Sequence, residues 1–125
     1  MNDKQKEIQR YLKSIKASRR DVELAKERCR TYELIYDGKG AEYKRLKAEI
    51  KDKQDDLISH IDRAQKLIDK LPDVAEREVL SLYYVDCLTM PQIADKMFYR
   101  ENTLWIKHSK ALQHLFEIKQ SMEIK

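Results

Sequence analysis

Apolar residues in the first 71 positions return every seven residues. Ile8, Ile15, Val22, Cys29 and Tyr36 share one heptad position. Tyr11, Ala25 and Tyr32 share a second, three residues on, with Ser18 as the polar exception. Such a step marks the stripe of one helix packed against another. A second segment repeats it with Tyr43, Ile50, Leu57, Ala64 and Leu71, while Leu46, Ile58, Ile61, Leu67 and Ile68 fill the same stripe. Between the two lies Asp37-Gly38-Lys39-Gly40, which holds both glycines of the chain. Glycine supplies the positive-φ ending that terminates a helix. The pattern predicts an antiparallel coiled-coil helical hairpin over residues 1–71, with arms roughly 45 Å long at 1.5 Å rise per residue. One hairpin buries only a narrow seam, so a homo-oligomer formed through the arms is an expected partner. Tyr32, Tyr36 and Tyr43 near the turn either cap the seam or form a partner-binding tip.

The pattern changes at Pro72, which is expected to end the second arm. Asp73 stands three residues before Glu76, the spacing of a capping box, and predicts a helix over Val74–Val85 with Val79, Leu80, Leu82 and Tyr83 or Tyr84 inward. Thr89 and Gln92 form a second such box, with Pro91 tolerated in the first helical turn. That box opens a short helix containing Ile93, Ala94 and Met97. After a break at Phe98-Tyr99-Arg100, a last helix carries Leu104, His108, Ala111, Leu112, Leu115 and Phe116 on its apolar side. A short helix, a tight turn and a longer amphipathic helix predict a helix-turn-helix module over residues 72–125, with Ala94 as the small residue at the crossing. The expected fold class is therefore all-α.

Composition supports this and narrows the function. Two glycines and two prolines in 125 residues cannot supply the turns of a sheet protein. No apolar run approaches a membrane span, and Met1-Asn2-Asp3-Lys4-Gln5-Lys6 does not resemble a signal peptide, so a cytoplasmic location is expected. Cys29 and Cys87 lie far apart without ligand spacing, and Gly38-Lys39-Gly40 is too short for a phosphate loop. His60, His108 and His114 have no neighbouring nucleophile or second ligand in a known spacing. Neither an enzyme, nor a metal site, nor a cofactor is expected. Net charge is +4, and its distribution is uneven. Residues 1–70 hold 19 basic and 14 acidic side chains, a net of +5, whereas residues 71–125 hold 7 and 8, a net of −1. Arg10, Lys13, Lys16, Arg19 and Arg20 form the densest basic stretch, suited either to phosphate contact or to a solvated helix face.

Residues 73–115 resemble region 4 of the sigma-70 type transcription factors. The resemblance is carried by Asp73, Glu76-Arg77, Val79-Leu80, Leu82, Tyr84, Leu88-Thr89, Gln92-Ile93-Ala94, Met97, Thr103-Leu104, Ala111-Leu112 and Leu115. The whole chain is similar to small prophage transcriptional regulators of Gram-positive bacteria, of the ArpU/RinA type, which pair a helical segment with a sigma-like module. The resemblance implies a DNA-binding regulator of phage type whose last helix enters the major groove of duplex DNA at a promoter or operator, with RNA polymerase as a further partner. It implies a reading face of Arg100, Glu101, Asn102, Thr103, Trp105, Ile106, Lys107 and Lys110. On that face Asn102 is suited to adenine and Glu101 to cytosine, while Arg100, Lys107 and Lys110 are suited to phosphate or guanine.

Three departures stand against this pattern. Arg100 occupies a position where the family has Ser or Thr as an N-cap, and Cys87 one where it commonly has Gly. Trp105 and Ile106 stand where sigma factors show Arg and Gln. An apolar pair in the reading turn faces DNA, turns inward against Tyr99 or the hairpin, or marks a protein interface. The alternative reading is thus a non-enzymatic interaction module that binds RNA polymerase or a host or phage protein.

Overall fold

The computed structural model describes residues 1–36 and 40–123, and these are all-α, with no strand among them. Helix α1 spans Asp3–Tyr36 and α2 spans Ala41–Ile68. The Tyr43 hydroxyl donates to Glu33 Oε1 at 2.6 Å, and Ser18 Oγ meets His60 Nδ1 at 3.4 Å. Residue numbers fall along one helix as they rise along the other, so α1 and α2 run antiparallel. The expected turn at Asp37-Gly38-Lys39 and the side chain of Tyr36 lie outside the described residues. Gly40, at φ 109°, precedes α2 in a backbone conformation that L side chains rarely adopt.

The seam keeps most of its predicted members. Ile8, Ile15, Val22, Ala25, Cys29, Leu46, Ala64, Leu67 and Ile68 are buried. Two positions differ. Leu12, off the heptad, is fully buried, whereas Ile58 is 64% exposed. Ile58 sits one residue past Leu57, about 100° around the helix from the stripe. Leu12 is covered because the first half of α1 packs against more than α2.

Pro72 does not itself end the second arm. Helix α2 stops at Ile68, and Lys70 and Leu71 donate to the carbonyls three residues back before the chain turns. Helix α3 follows over Val74–Leu80, and the helical run continues to the predicted end at Val85. Ser81–Val85 widens into a π-helical turn, closed by Asp86 N donating to Ser81 O. The wider turn buries both Tyr84 and Val85 and leaves the Val85 carbonyl to accept 2.7 Å from Arg19 Nη2. Helices α4 (Met90–Met97) and α5 (Glu101–Glu123) complete the chain.

The two capping boxes part ways. Thr89 and Gln92 exchange both bonds, each side chain accepting from the other's backbone N–H. Asp73 accepts from Glu76 N at 3.1 Å, but the Glu76 carboxylate does not return. It is buried against α5 instead, 2.9 and 3.0 Å from His114 Nδ1. The backbone N–H of Glu76, donating to Asp73, holds the Asp73 carboxyl below its ordinary pKa.

One core crosses the 71/72 boundary. Ile8, Leu12, Ile15, Ile68 and Leu71 share a cluster with Val79, Leu80, Ile93, Leu104, Leu112 and Leu115. The boundary marks a change of direction, and the hydrophobic core is continuous through it.

Candidate nucleic-acid interface

The periodicity of α5 divides its surface. Leu104, His108, Ala111, Leu112 and Leu115 are buried. Asn102, Ile106 and Lys110, spaced four apart, run down the opposite face and are exposed. Thr103 and Lys107 are half-buried on one flank, where the Lys107 ammonium lies 5.8 Å from the Tyr99 ring centroid. Glu101 and Trp105 lie on the other, and Arg100, also exposed, precedes the helix. The first helical bond runs from Leu104 N to Arg100 O.

Helix α1 lies along the Glu101–Trp105 flank. Gln5 Nε2 donates to Ser109 O at 2.7 Å, and Asn2 Nδ2 to Gln113 Oε1 at 3.0 Å. Further along, Lys13, Lys16 and Arg20 border the same cleft as Glu101 and Trp105. Two groups of sequence-predicted residues, some 85 positions apart, thereby come together. Arg10, Lys13, Lys16 and Arg20 are exposed and form no ion pair among the described residues. Arg19 differs from them: its guanidinium is half-buried and committed to Val85 O, which makes it a structural tie between α1 and the π turn.

Trp105 faces neither fully out nor toward Tyr99. Its indole makes edge contacts with Tyr83 and His108 at 5.9 and 5.4 Å between centroids, and it remains 40% exposed. Beneath it the Tyr84 hydroxyl lies 2.6 Å from His108 Nε2 and 3.3 Å from Gln9 Nε2. Burial drives the His108 pKa down to about 4 and raises that of Tyr84. The neutral imidazole and the Tyr84 hydroxyl share a hydrogen bond at Nε2, and that hydroxyl also accepts from Gln9. Sequence reading placed His108 in the core but missed this network, since hydrogen-bond partners 75 residues apart leave no local signal.

Two left-handed residues punctuate the module. Cys87 and Phe98 both have φ 58°. Cys87 occupies the position where the resemblance expects Gly. Phe98 closes α4 and is 95% exposed beside exposed Tyr99, near Ile106 in sequence and 58% exposed in its turn.

A family model described as "Protein of unknown function (DUF1492)" matches residues 37–116, and the chain belongs to that family. No curated protein and no solved structure matches it. No described helix is long and apolar enough to cross a membrane.

Proposed function

We propose that the chain is a non-enzymatic, DNA-binding transcription regulator in which α4 and α5 act as a helix-turn-helix, as in the phage-type regulators it resembles. The observation that carries this reading is the exposed row Asn102, Ile106 and Lys110 on α5, flanked by the unpaired cations of α1. The row is suited to base edges, with Asn102 for adenine and Ile106 for a thymine methyl. Arg100, Lys110, Lys13, Lys16 and Arg20 supply backbone contacts on either side. Selection from a random duplex pool at two salt concentrations tests it. An enriched motif is expected, with affinity falling as about the −4 to −5 power of salt for five phosphate contacts. Absence of enrichment at low salt would remove the reading.

A second reading rests on a specific observation. Phe98, Tyr99 and Ile106 are exposed apolar side chains at the end of α4 and in the first turns of α5. Such a patch suits a protein partner such as RNA polymerase. Under that reading Phe98→Ala weakens a protein complex and leaves duplex binding unchanged.

A further inference from the structure

Between the α1 basic edge and the α4–α5 unit lies a half-open cleft of about 580 Å³. That volume falls within the range of small-molecule sites, roughly 300–1,000 Å³. Its two sides differ in chemistry. Lys13, Lys16 and Arg20 line the α1 side. None of them has an ion-pair partner among the described residues. Trp105 and Tyr83 form the aromatic wall on the other side, with the Trp105 indole pinned by Tyr83 and His108. Glu101 is the only carboxylate in the lining, and it accepts from the indole Nε1 at 3.4 Å.

We propose that this cleft binds a small nucleoside phosphate. Three cations lining one cleft match a phosphate or diphosphate, with the Arg20 fork able to grip two oxygens. A pinned indole offers a stacking face to a planar base. The Glu101 carboxylate, held beside that ring, accepts from a base that carries an exocyclic amine. Inorganic phosphates have no use for the aromatic wall, and uncharged aromatics have none for the cations. The pairing of both features in one cleft selects a ligand that carries both. The site shares Lys13, Lys16 and Arg20 with the DNA reading, but its occupancy is measured without DNA, so the two fail separately.

The test is calorimetric titration of the full chain with ADP, GDP, UDP and inorganic pyrophosphate, in parallel with fluorescence of Trp105, the chain's single tryptophan. Saturable binding of ADP or GDP is expected, with quenching of the indole. UDP, which lacks the amine, and pyrophosphate, which lacks the base, should each bind more weakly by about tenfold or more. Lys16→Ala with Arg20→Ala, both on exposed positions, should abolish binding while helicity by circular dichroism is kept. Trp105→Phe, which keeps a smaller ring, should weaken ADP and leave pyrophosphate unchanged. Three results would overturn the proposal: no saturation by 5 mM (roughly the weakest affinity worth a site), pyrophosphate binding as tightly as ADP, or ADP binding that survives the Lys16/Arg20 double change.

Discussion

His108 shows how far one residue's environment can be read into behaviour. It is 1% exposed, and its pKa is lowered from 6.5 to about 4 because burial penalises the imidazolium. The unfolded chain binds a proton near pH 6.5 and the folded chain does not until about pH 4. Stability is therefore full above pH 6.5 and falls as pH drops through this window, by about 3 kcal/mol at its foot. Chemical denaturation at pH 7 and pH 5 should show a loss of about 2 kcal/mol. In His108→Gln, which keeps a polar side chain but cannot titrate, that pH dependence should shrink. A wild-type stability that is flat from pH 7 to 5 would mean the buried ring is not neutral. Phe98 carries a different local strain. A non-Gly residue in the left-handed region costs about 1–2 kcal/mol, and 95% exposure leaves the ring little packing to offset it. Phe98→Gly should therefore raise stability by about 1 kcal/mol in thermal or urea unfolding. A destabilised variant would show that the ring is packed in solution.

At the scale of elements, local signals proved reliable where the partner is near in sequence. The Thr89–Gln92 box was legible because both halves of the exchange lie within one turn. Thr89→Ala should lower stability by about 1 kcal/mol, and Gln92→Ala by less, in the same unfolding assay. Glu76 had the same spacing from Asp73, yet its carboxylate turned to His114, 38 residues away. Spacing alone could not reveal that competing partner. The heptad misjudged Leu12 and Ile58 for a related reason. A seven-residue step presumes one partner helix, whereas the first half of α1 has α2 on one side and α5 with the π turn on the other. A second partner widens the buried stripe to include Leu12. Leu12→Ala should cost 2–5 kcal/mol and Ile58→Ala about 0.5 or less. Equal effects would refute this account of the two positions. The apolar side of α5 followed the first rule: Leu104, His108, Ala111, Leu112 and Leu115 were legible from its periodicity and are buried. Lys13, Lys16 and Arg20 on α1 were legible only as a charge run, with nothing to say that it would lie beside Trp105.

The whole molecule is built outward from one shared core, and its stability should be graded accordingly. Ile8, Leu12 and Ile15 of α1 are buried in the same cluster as Ile68, Leu71, Leu80, Leu104 and Leu112. Remove α1, and residues 72–125 lose the Ile8, Leu12 and Ile15 share of that buried cluster. A fragment of residues 72–125 should therefore lack a cooperative unfolding transition, while the full chain unfolds cooperatively. Beyond Val22 the antiparallel pair has only its own seam of Val22, Ala25, Cys29 and Leu46, outside the shared cluster. Fewer buried contacts mean lower local opening energies. Amide exchange should then be slowest for α1 residues 8–19 and for α5 residues 104–115, with similar protection in both. It should quicken along α1 from residue 24 to residue 35. Equal protection along all of α1 would mean that the outer seam is covered in solution, as a second copy packed along the arms would cover it. Separate protection levels for residues 8–19 and 104–115 would mean that the core divides where the sequence changes pattern, at Pro72. The shared core also bears on the proposed function, because it joins α1, which carries Lys13, Lys16 and Arg20, to α5. If the two regions exchange together, Leu12→Ala should weaken duplex binding although Leu12 itself touches no DNA, in proportion to the fraction of chains it unfolds.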